Sequence, residues 1–177
     1  MAADRKQGQG KFFWAYIPMP SSLTDLAQDI APEHLNSRPN EDAIEHDPHI
    51  TLHVFLPHLP DTTIIKQLFA TKSFQVQLQG LGYFEGKEQD VLYAKVKDNE
   101  HLTALHQLLV RLFDKPWTYP TYQPHVTLAF LKAGKAAAYA KSIAFDQPIT
   151  VDVTKVLFKE HDGKAEEAMT VPLMSWS

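Results

Sequence analysis

Apolar positions fall along this chain in two different rhythms, and the order of the rhythms repeats. The run Phe12-Phe13-Trp14-Ala15-Tyr16-Ile17 is continuously aromatic or apolar and ends at Pro18 and Pro20, which predicts a short buried strand. Leu23, Leu26, Ala27 and Ile30 then form one stripe at helical spacing, with Ser21 or Ser22 as its expected N-cap. Residues 36–47 are polar and turn-rich and predict a loop. A strand is expected from His49 to Leu56, then a helix capped by Asp61 that carries Ile64, Ile65, Leu68 and Phe69. Phe74, Val76 and Leu78 alternate with Gln75, Gln77 and Gln79, the two-residue period of a half-buried strand.

The second half follows the same order. Val91 to Val96 reads as a strand, and Asp98 or Asn99 starts a helix whose Leu102, Leu105, Leu108, Leu109 and Leu112 form a broad apolar face. A loop leads to a strand from His125 to Leu131, an alanine-rich helix follows, and a further strand begins at Ile149. A final hairpin is expected to turn at His161-Asp162-Gly163-Lys164, because Asp-Gly between strands favours a tight turn. His49 precedes Phe74 by 25 residues and His125 precedes Ile149 by 24, so the two halves match in spacing as well as order. The expectation is a bilobal α+β domain built from a duplicated unit about a pseudo-two-fold axis. Antiparallel sheets would line a central cleft with helices outside. Residues 1–10 are expected to be a flexible leader and 11–177 one catalytic domain. Its lobes would span about 11–86 and 90–177, with strands free to exchange between them.

Composition narrows the classes. A chain of 177 residues with 44% hydrophobic and 21% charged residues suits one compact domain. Its formal net charge of −4 lacks the basic footprint of a protein that coats long nucleic acid, while leaving room for a small phosphorylated ligand. No apolar run is long enough to span a bilayer, so no membrane partner is expected. With no cysteine, disulfides, thiolate metal sites and a cysteine nucleophile are excluded, which fits a cytoplasmic address. Oligomeric state is not legible.

Each half carries one copy of a five-residue pattern, Pro48-His49-Ile50-Thr51-Leu52 and Pro124-His125-Val126-Thr127-Leu128. Residues two apart on a strand share a face, so each histidine projects with its threonine. Phosphodiester cleavage needs one group to deprotonate the attacking oxygen and another to protonate the leaving oxygen. Imidazole does both near neutral pH, and a hydroxyl can donate to a non-bridging phosphate oxygen. His101-Leu102-Thr103 has the same spacing but lies in a helical pattern, where residues two apart point to different sides. His53 would share the face of His49 and Thr51 on a regular strand. The spacing of His46, His49 and His53 matches no strong metal signature, and neither metal nor cofactor is expected. Trp117, Tyr119 and Tyr122 precede the second motif and could form a base-stacking rim; Lys132 and Lys135 follow it and could attract phosphate.

On these two His-x-Thr motifs the chain resembles the 2H phosphoesterase superfamily from its first strand to its final hairpin. The segments YPTYQPHVTLAFLKAGK and VLYAKV…HLTALHQLL look most like the phage anti-CBASS phosphodiesterases, which destroy cyclic oligonucleotide messengers of bacterial defence. The resemblance implies a metal-independent phosphodiesterase acting on 3′–5′ bonds of a small cyclic nucleotide or oligonucleotide, in the host cytoplasm if phage-encoded. His49, Thr51, His125 and Thr127 would be catalytic. Tyr16 and Glu160 would match substrate-binding residues of that family, beside Trp117 and Tyr122. RNA 2′,3′-cyclic phosphodiesterases of the 2′-5′ ligase type are also similar, although their first motif usually runs into a Phe-Leu-Gly turn that HITLHVFLPHLPD lacks. A cyclic-nucleotide sponge or sensor is the non-enzymatic alternative.

Overall fold

The structure, a computed structural model, describes residues 11–38, 41–161 and 167–175. The leader expected at residues 1–10 and the turn expected at Asp162-Gly163-Lys164 lie outside the described residues. The elements are β1 (Phe13–Pro18), β2 (His49–Leu56), α1 (Thr62–Phe69), β3 (Phe74–Phe84), β4 (Gln89–Val96), α2 (Glu100–Leu112), β5 (His125–Lys132), α3 (Ala136–Ser142), β6 (Ile149–Val153), β7 (Lys155–Glu160) and β8 (Met169–Pro172). All strands join one antiparallel sheet in the order β6-β3-β4-β5-β2-β1-β7-β8.

The duplication is visible in the register. Ile50 of β2 pairs with Val126 of β5, and Val76 of β3 pairs with Val151 of β6. Partners in these pairs are 76 and 75 residues apart, so equivalent residues meet each other, as they must where a two-fold axis crosses antiparallel strands. Only Thr154 separates β6 from β7. β6 lies on β3 at one end of the strand order while β7 lies on β1, next to the other end, so one bent stretch links the two sides and curls the sheet. β3 follows β2 in the chain yet pairs with β4, so each half lends a strand to the other.

Local chemistry explains most element starts. Asp61 accepts the Ile64 amide at 2.9 Å and caps α1; Asn99, rather than Asp98, accepts the Leu102 amide at 3.0 Å and caps α2. The segment after β1 departs from the expected α-helix. It is a 3₁₀ helix at Ser21–Ala27 without a side-chain cap, followed by a single 3₁₀ turn at Pro32–His34. Prolines at 18, 20 and 32 leave little chain for an α-helix to grow, and the Thr24 hydroxyl instead donates to the Glu45 carbonyl at 3.0 Å. The polar loop does more than connect. Phe130 N–H donates to Ala43 O at 2.7 Å and Glu45 N–H to Leu128 O at 2.9 Å, which extends the ladder beside β5.

The helical side of the sheet holds the main core, where Ile50, Leu52, Val76, Leu78, Leu102, Leu105, Leu109, Val126, Leu128 and Phe158 are buried. Each large aliphatic side chain there contributes about 1.5–3 kcal/mol by leaving water. A smaller core forms where α3 meets β4 and β5, from Ala27, Ile30, Leu92, Ala129, Leu131 and Ala136. Among the described residues no helix is long and apolar enough to cross a membrane. With helices and core on one face, the other face of β2 and β5 carries the two motifs.

Candidate active site

β2 and β5 are neighbours at the centre of the sheet. In each motif the apolar residues alternate into the core, with Ile50, Leu52, Val126 and Leu128 fully buried, while His49, Thr51, His125 and Thr127 stay half-buried on the opposite face. Continuing the Ile50–Val126 register by one residue each way lines up His49 with Thr127 and Thr51 with His125. The histidines are then diagonal neighbours, and such positions in a paired register sit roughly 7–8 Å apart, somewhat less at Cβ, room enough for a phosphate between the rings.

Both imidazoles are held alike. His49 Nδ1 lies 2.7 Å from the Asp47 carbonyl oxygen, and His125 Nδ1 lies 2.8 Å from that of Gln123. A carbonyl only accepts, so each Nδ1 carries the proton and each Nε2 is left for a ligand. Burial pushes the His125 pKa below the ordinary histidine value. The Gln123 carbonyl opposes that shift, and the charge of His49 reinforces it.

A bulge follows each motif. Pairing of β1 with β2 passes from Tyr16–Thr51 to Ala15–His53, and that of β4 with β5 from Tyr93–Thr127 to Leu92–Ala129, so Leu52 and Leu128 are the extra residues. The bulge corrects the expectation for His53, which does not share the face of His49. It is 0% exposed, and its ring nitrogens lie 2.8 Å from the carbonyl oxygens of Val54 and Lys115. His46 is paired with Asp42 at 2.7 Å instead. Among the described residues no group of three or more His, Asp or Glu side chains is arranged to hold a metal ion.

The same pairing gives Tyr16 a symmetry mate. Tyr16 lies 5.2 Å from the His49 ring and Tyr93 lies 5.2 Å from the His125 ring. Burial raises both phenol pKa values, with the Asp47 carboxylate adding to the effect at Tyr16, so both hydroxyls stay protonated donors. The Tyr16 hydroxyl is buried and meets no partner among the described residues. Sequence reasoning singled out Tyr16 but missed Tyr93. The signal was available: Tyr16 precedes His49 by 33 residues and Tyr93 precedes His125 by 32. Gly82 sits opposite Tyr93, and a Cβ there would come within 2.7 Å of the phenol ring, so a bare backbone seats that ring.

Other expected site residues are placed differently. Tyr122 stacks on His106 at 3.9 Å and donates its hydroxyl to the Thr51 backbone oxygen at 3.0 Å; burial raises its pKa strongly. Trp117 packs edge-on against His53, His106 and Tyr122. These two rings pin the loop that precedes the second motif. Glu160 pairs with Lys11 at 3.2 Å and sits across from Phe13, on the face of Phe158 and away from Tyr16. Lys132 donates to the Glu33 carbonyl. His101 stacks on Phe74, far from either motif in the strand order. Tyr119 does reach the site. With Phe84, Val91, Pro120, Thr121, Gln123 and Phe130 it walls a cavity of about 480 Å³ bounded by His125 and Thr127. Phe84 itself lies 4.9 Å from the His125 ring.

Residues 19–165 match the family model of the 2′-5′ RNA ligase superfamily. The chain belongs to that superfamily. No curated protein matches the sequence. Solved structures that share the superfamily's fold include E. coli LigT in its apo form, at TM-score 0.57 and 16% identity, covering 93% of this chain and 98% of LigT. LigT complexed with 3′-AMP matches at TM-score 0.55 and 16% identity, covering 95% and 100%. Usb1 of Kluyveromyces marxianus matches at TM-score 0.54 and 11% identity, covering 92% and 98%. At these identities the likeness is one of fold, the curled sheet and its outer helices. Superfamily membership is consistent with phosphodiesterase or RNA ligase-like chemistry.

Proposed function

We propose that this protein is a metal-independent phosphodiesterase that cleaves 3′–5′ linkages of small cyclic oligonucleotides. The observation that carries the reading is the pair of His-x-Thr motifs on adjacent antiparallel strands, each histidine oriented by a backbone carbonyl. His125 is the base: burial favours its neutral form, whose Nε2 lone pair takes the proton from a ribose 2′-hydroxyl. The 2′-oxygen attacks phosphorus while the bond to the 5′-oxygen breaks. His49 acts as the acid and gives a proton from Nε2 to that leaving oxygen. Thr51 and Thr127 donate to the non-bridging oxygens as charge grows there. The products are a 2′,3′-cyclic phosphate and a free 5′-hydroxyl, and water opens the cyclic ester with the histidine roles reversed. The lobes, about 11–86 and 90–177, act as one catalytic domain.

The resemblance around the second motif supports cyclic messengers as substrates, and with them a counter-defence role of the anti-CBASS kind. The superfamily match and the LigT complex with 3′-AMP favour a second reading, RNA ends bearing a 2′,3′-cyclic phosphate. Incubation with a panel of cyclic di- and trinucleotides, beside RNA with such ends and with EDTA present, separates the two. Mass spectrometry is expected to find opened cyclic oligonucleotides. His49→Ala and His125→Ala are each expected to lose about a thousandfold or more in rate while remaining folded. Full turnover by the double variant would rule the scheme out.

A further inference from the structure

The two sides of the cleft are equivalent in backbone but opposite in chemistry. On the second-lobe side, Tyr93 is followed along the same face by the pair Val91–Phe84, which walls the cavity beside His125. Phe84 stands 4.4 Å from the Tyr93 ring. On the first-lobe side the matching pair is Trp14–Lys159, next to Tyr16. The Lys159 ammonium lies 5.5 Å from the centre of the Tyr16 ring, in the place that Phe84 takes over Tyr93. One lobe therefore presents an aromatic wall and the other a cation.

Three donors lie on the first-lobe side without a hydrogen-bond or ion-pair partner among the described residues. Lys159 makes no ion pair among the described residues, and the buried indole N–H of Trp14 and the buried hydroxyl of Tyr16 meet no acceptor among them. Trp14, Tyr16 and Lys159 alternate away from the core residues Ala15, Ile17 and Phe158, so all three share the sheet face of His49 and Thr51. A buried donor left unpaired costs about 1–3 kcal/mol, which marks a place built for an acceptor.

We propose that Lys159 and Trp14, with Tyr16, form a subsite for a second phosphate of the substrate. The inference rests on the phosphodiesterase reading and deepens it. Trp14 and Lys159 lie two residues beyond Tyr16 and Leu157 along paired strands, roughly 7 Å further from the histidines, of the order of one phosphate-to-phosphate step in a nucleotide chain. The base of the attacking nucleotide occupies the aromatic cavity beside His125. Its 3′-phosphate sits between the histidines, the leaving 5′-oxygen faces His49, and the next phosphate reaches Lys159. The cleft thus binds a chain in one direction and discriminates against ligands with a single phosphate.

Two probes test this by binding alone: adenylyl-adenosine lacking the attacking 2′-hydroxyl, with and without a terminal 3′-phosphate. The wild-type protein is expected to bind the phosphorylated probe about tenfold tighter, a preference that weakens with salt. Lys159→Gln should bring the ratio close to one and Lys159→Arg should retain it. Trp14→Phe, which removes the N–H with the five-membered ring and keeps an aromatic ring, should reduce it by about threefold. A wild-type ratio near one, or a ratio that survives Lys159→Gln, overturns the subsite while leaving the phosphodiesterase reading intact. Failure of the wild-type protein to bind either probe overturns both.

Discussion

Tyr93 stands to Thr127 and His125 as Tyr16 stands to Thr51 and His49, each phenol paired across strands with a motif threonine and set 5.2 Å from a motif histidine. The correspondence holds although their surroundings differ. Tyr16 is 2% exposed and its hydroxyl meets no partner among the described residues, whereas the Tyr93 hydroxyl accepts the Gln123 side-chain amide at 3.5 Å.

Removing the Tyr16 hydroxyl should therefore divide stability from function. Tyr16→Phe relieves a buried donor that no described residue satisfies. It is expected to stabilise the fold by about 1 kcal/mol, or about 2–4 °C in melting temperature. If that donor serves the substrate, kcat/KM falls about tenfold in the same variant. Tyr93→Phe should lower kcat/KM comparably without the gain in melting temperature. A Tyr16→Phe protein that is both less stable and fully active would assign the hydroxyl to structure.

Gly82 offers a test of how Tyr93 is seated. A methyl group at position 82 meets the Tyr93 ring at 2.7 Å, and the ring cannot retreat without disturbing Phe84 or His125. Gly82→Ala is expected to cost about 1–3 kcal/mol in chemical denaturation and to lower kcat more than it raises KM. Adding Tyr93→Leu should restore the stability and leave activity low, because it removes the clash but also the phenol. Additive losses in the double variant would show that the two residues do not touch in solution.

What was legible in the sequence follows from which forces act locally. The motif strands read correctly because their alternation faces one core, and α1 and α2 read correctly because Asp61 and Asn99 cap them within a single turn. His53 was misplaced because the bulge at Leu52 arises from pairing with β1, which no pattern within β2 reveals. The helix expected after Ser21 became a 3₁₀ helix because flanking prolines and the bond from Thr24 to Glu45 outweigh the stripe of Leu23, Leu26, Ala27 and Ile30. Tyr93, Phe84 and Lys159 escaped notice because their meaning lies in cross-strand register. Glu160 was singled out by likeness, which does not reveal which face of the sheet a residue takes, and Trp117 by its position in the loop, which does not reveal that its ring packs inward on His53 and His106.

His53 also yields a stability prediction. Its ring bridges β2 to the loop before the second motif through Val54 and Lys115, and it lies against Trp117 and His106. His53→Ala opens a void and strips the Lys115 carbonyl of its partner, for an expected loss of about 3 kcal/mol. The same loop supplies Tyr119, Thr121 and Gln123 to the cavity, so hydrogen exchange at residues 115–123 should accelerate more than in β3 or β4. Unchanged exchange in that loop would show that Trp117 and Tyr122 hold it without His53.

The pH dependence of catalysis distinguishes the two histidines. Burial lowers the His125 pKa in the folded protein, so between that value and the ordinary histidine value of about 6.5 the unfolded chain binds the extra proton. Its contribution to stability is therefore complete above about pH 6.5 and is lost as pH falls toward the folded value. The opposite trend, stability rising on acidification through this window, would contradict the burial. As the base, His125 must be neutral, so the acidic limb of kcat/KM should lie below about pH 6.5. Phe84 supplies part of the apolar surface that excludes water from the ring, at 4.9 Å. Phe84→Ala should let water in and move the acidic limb upward toward 6.5, in addition to any rise in KM from the opened cavity. If the acidic limb already sits at or above 6.5 and Phe84→Ala leaves it there, the proton is taken up by His49 and the roles of the two rings must be exchanged.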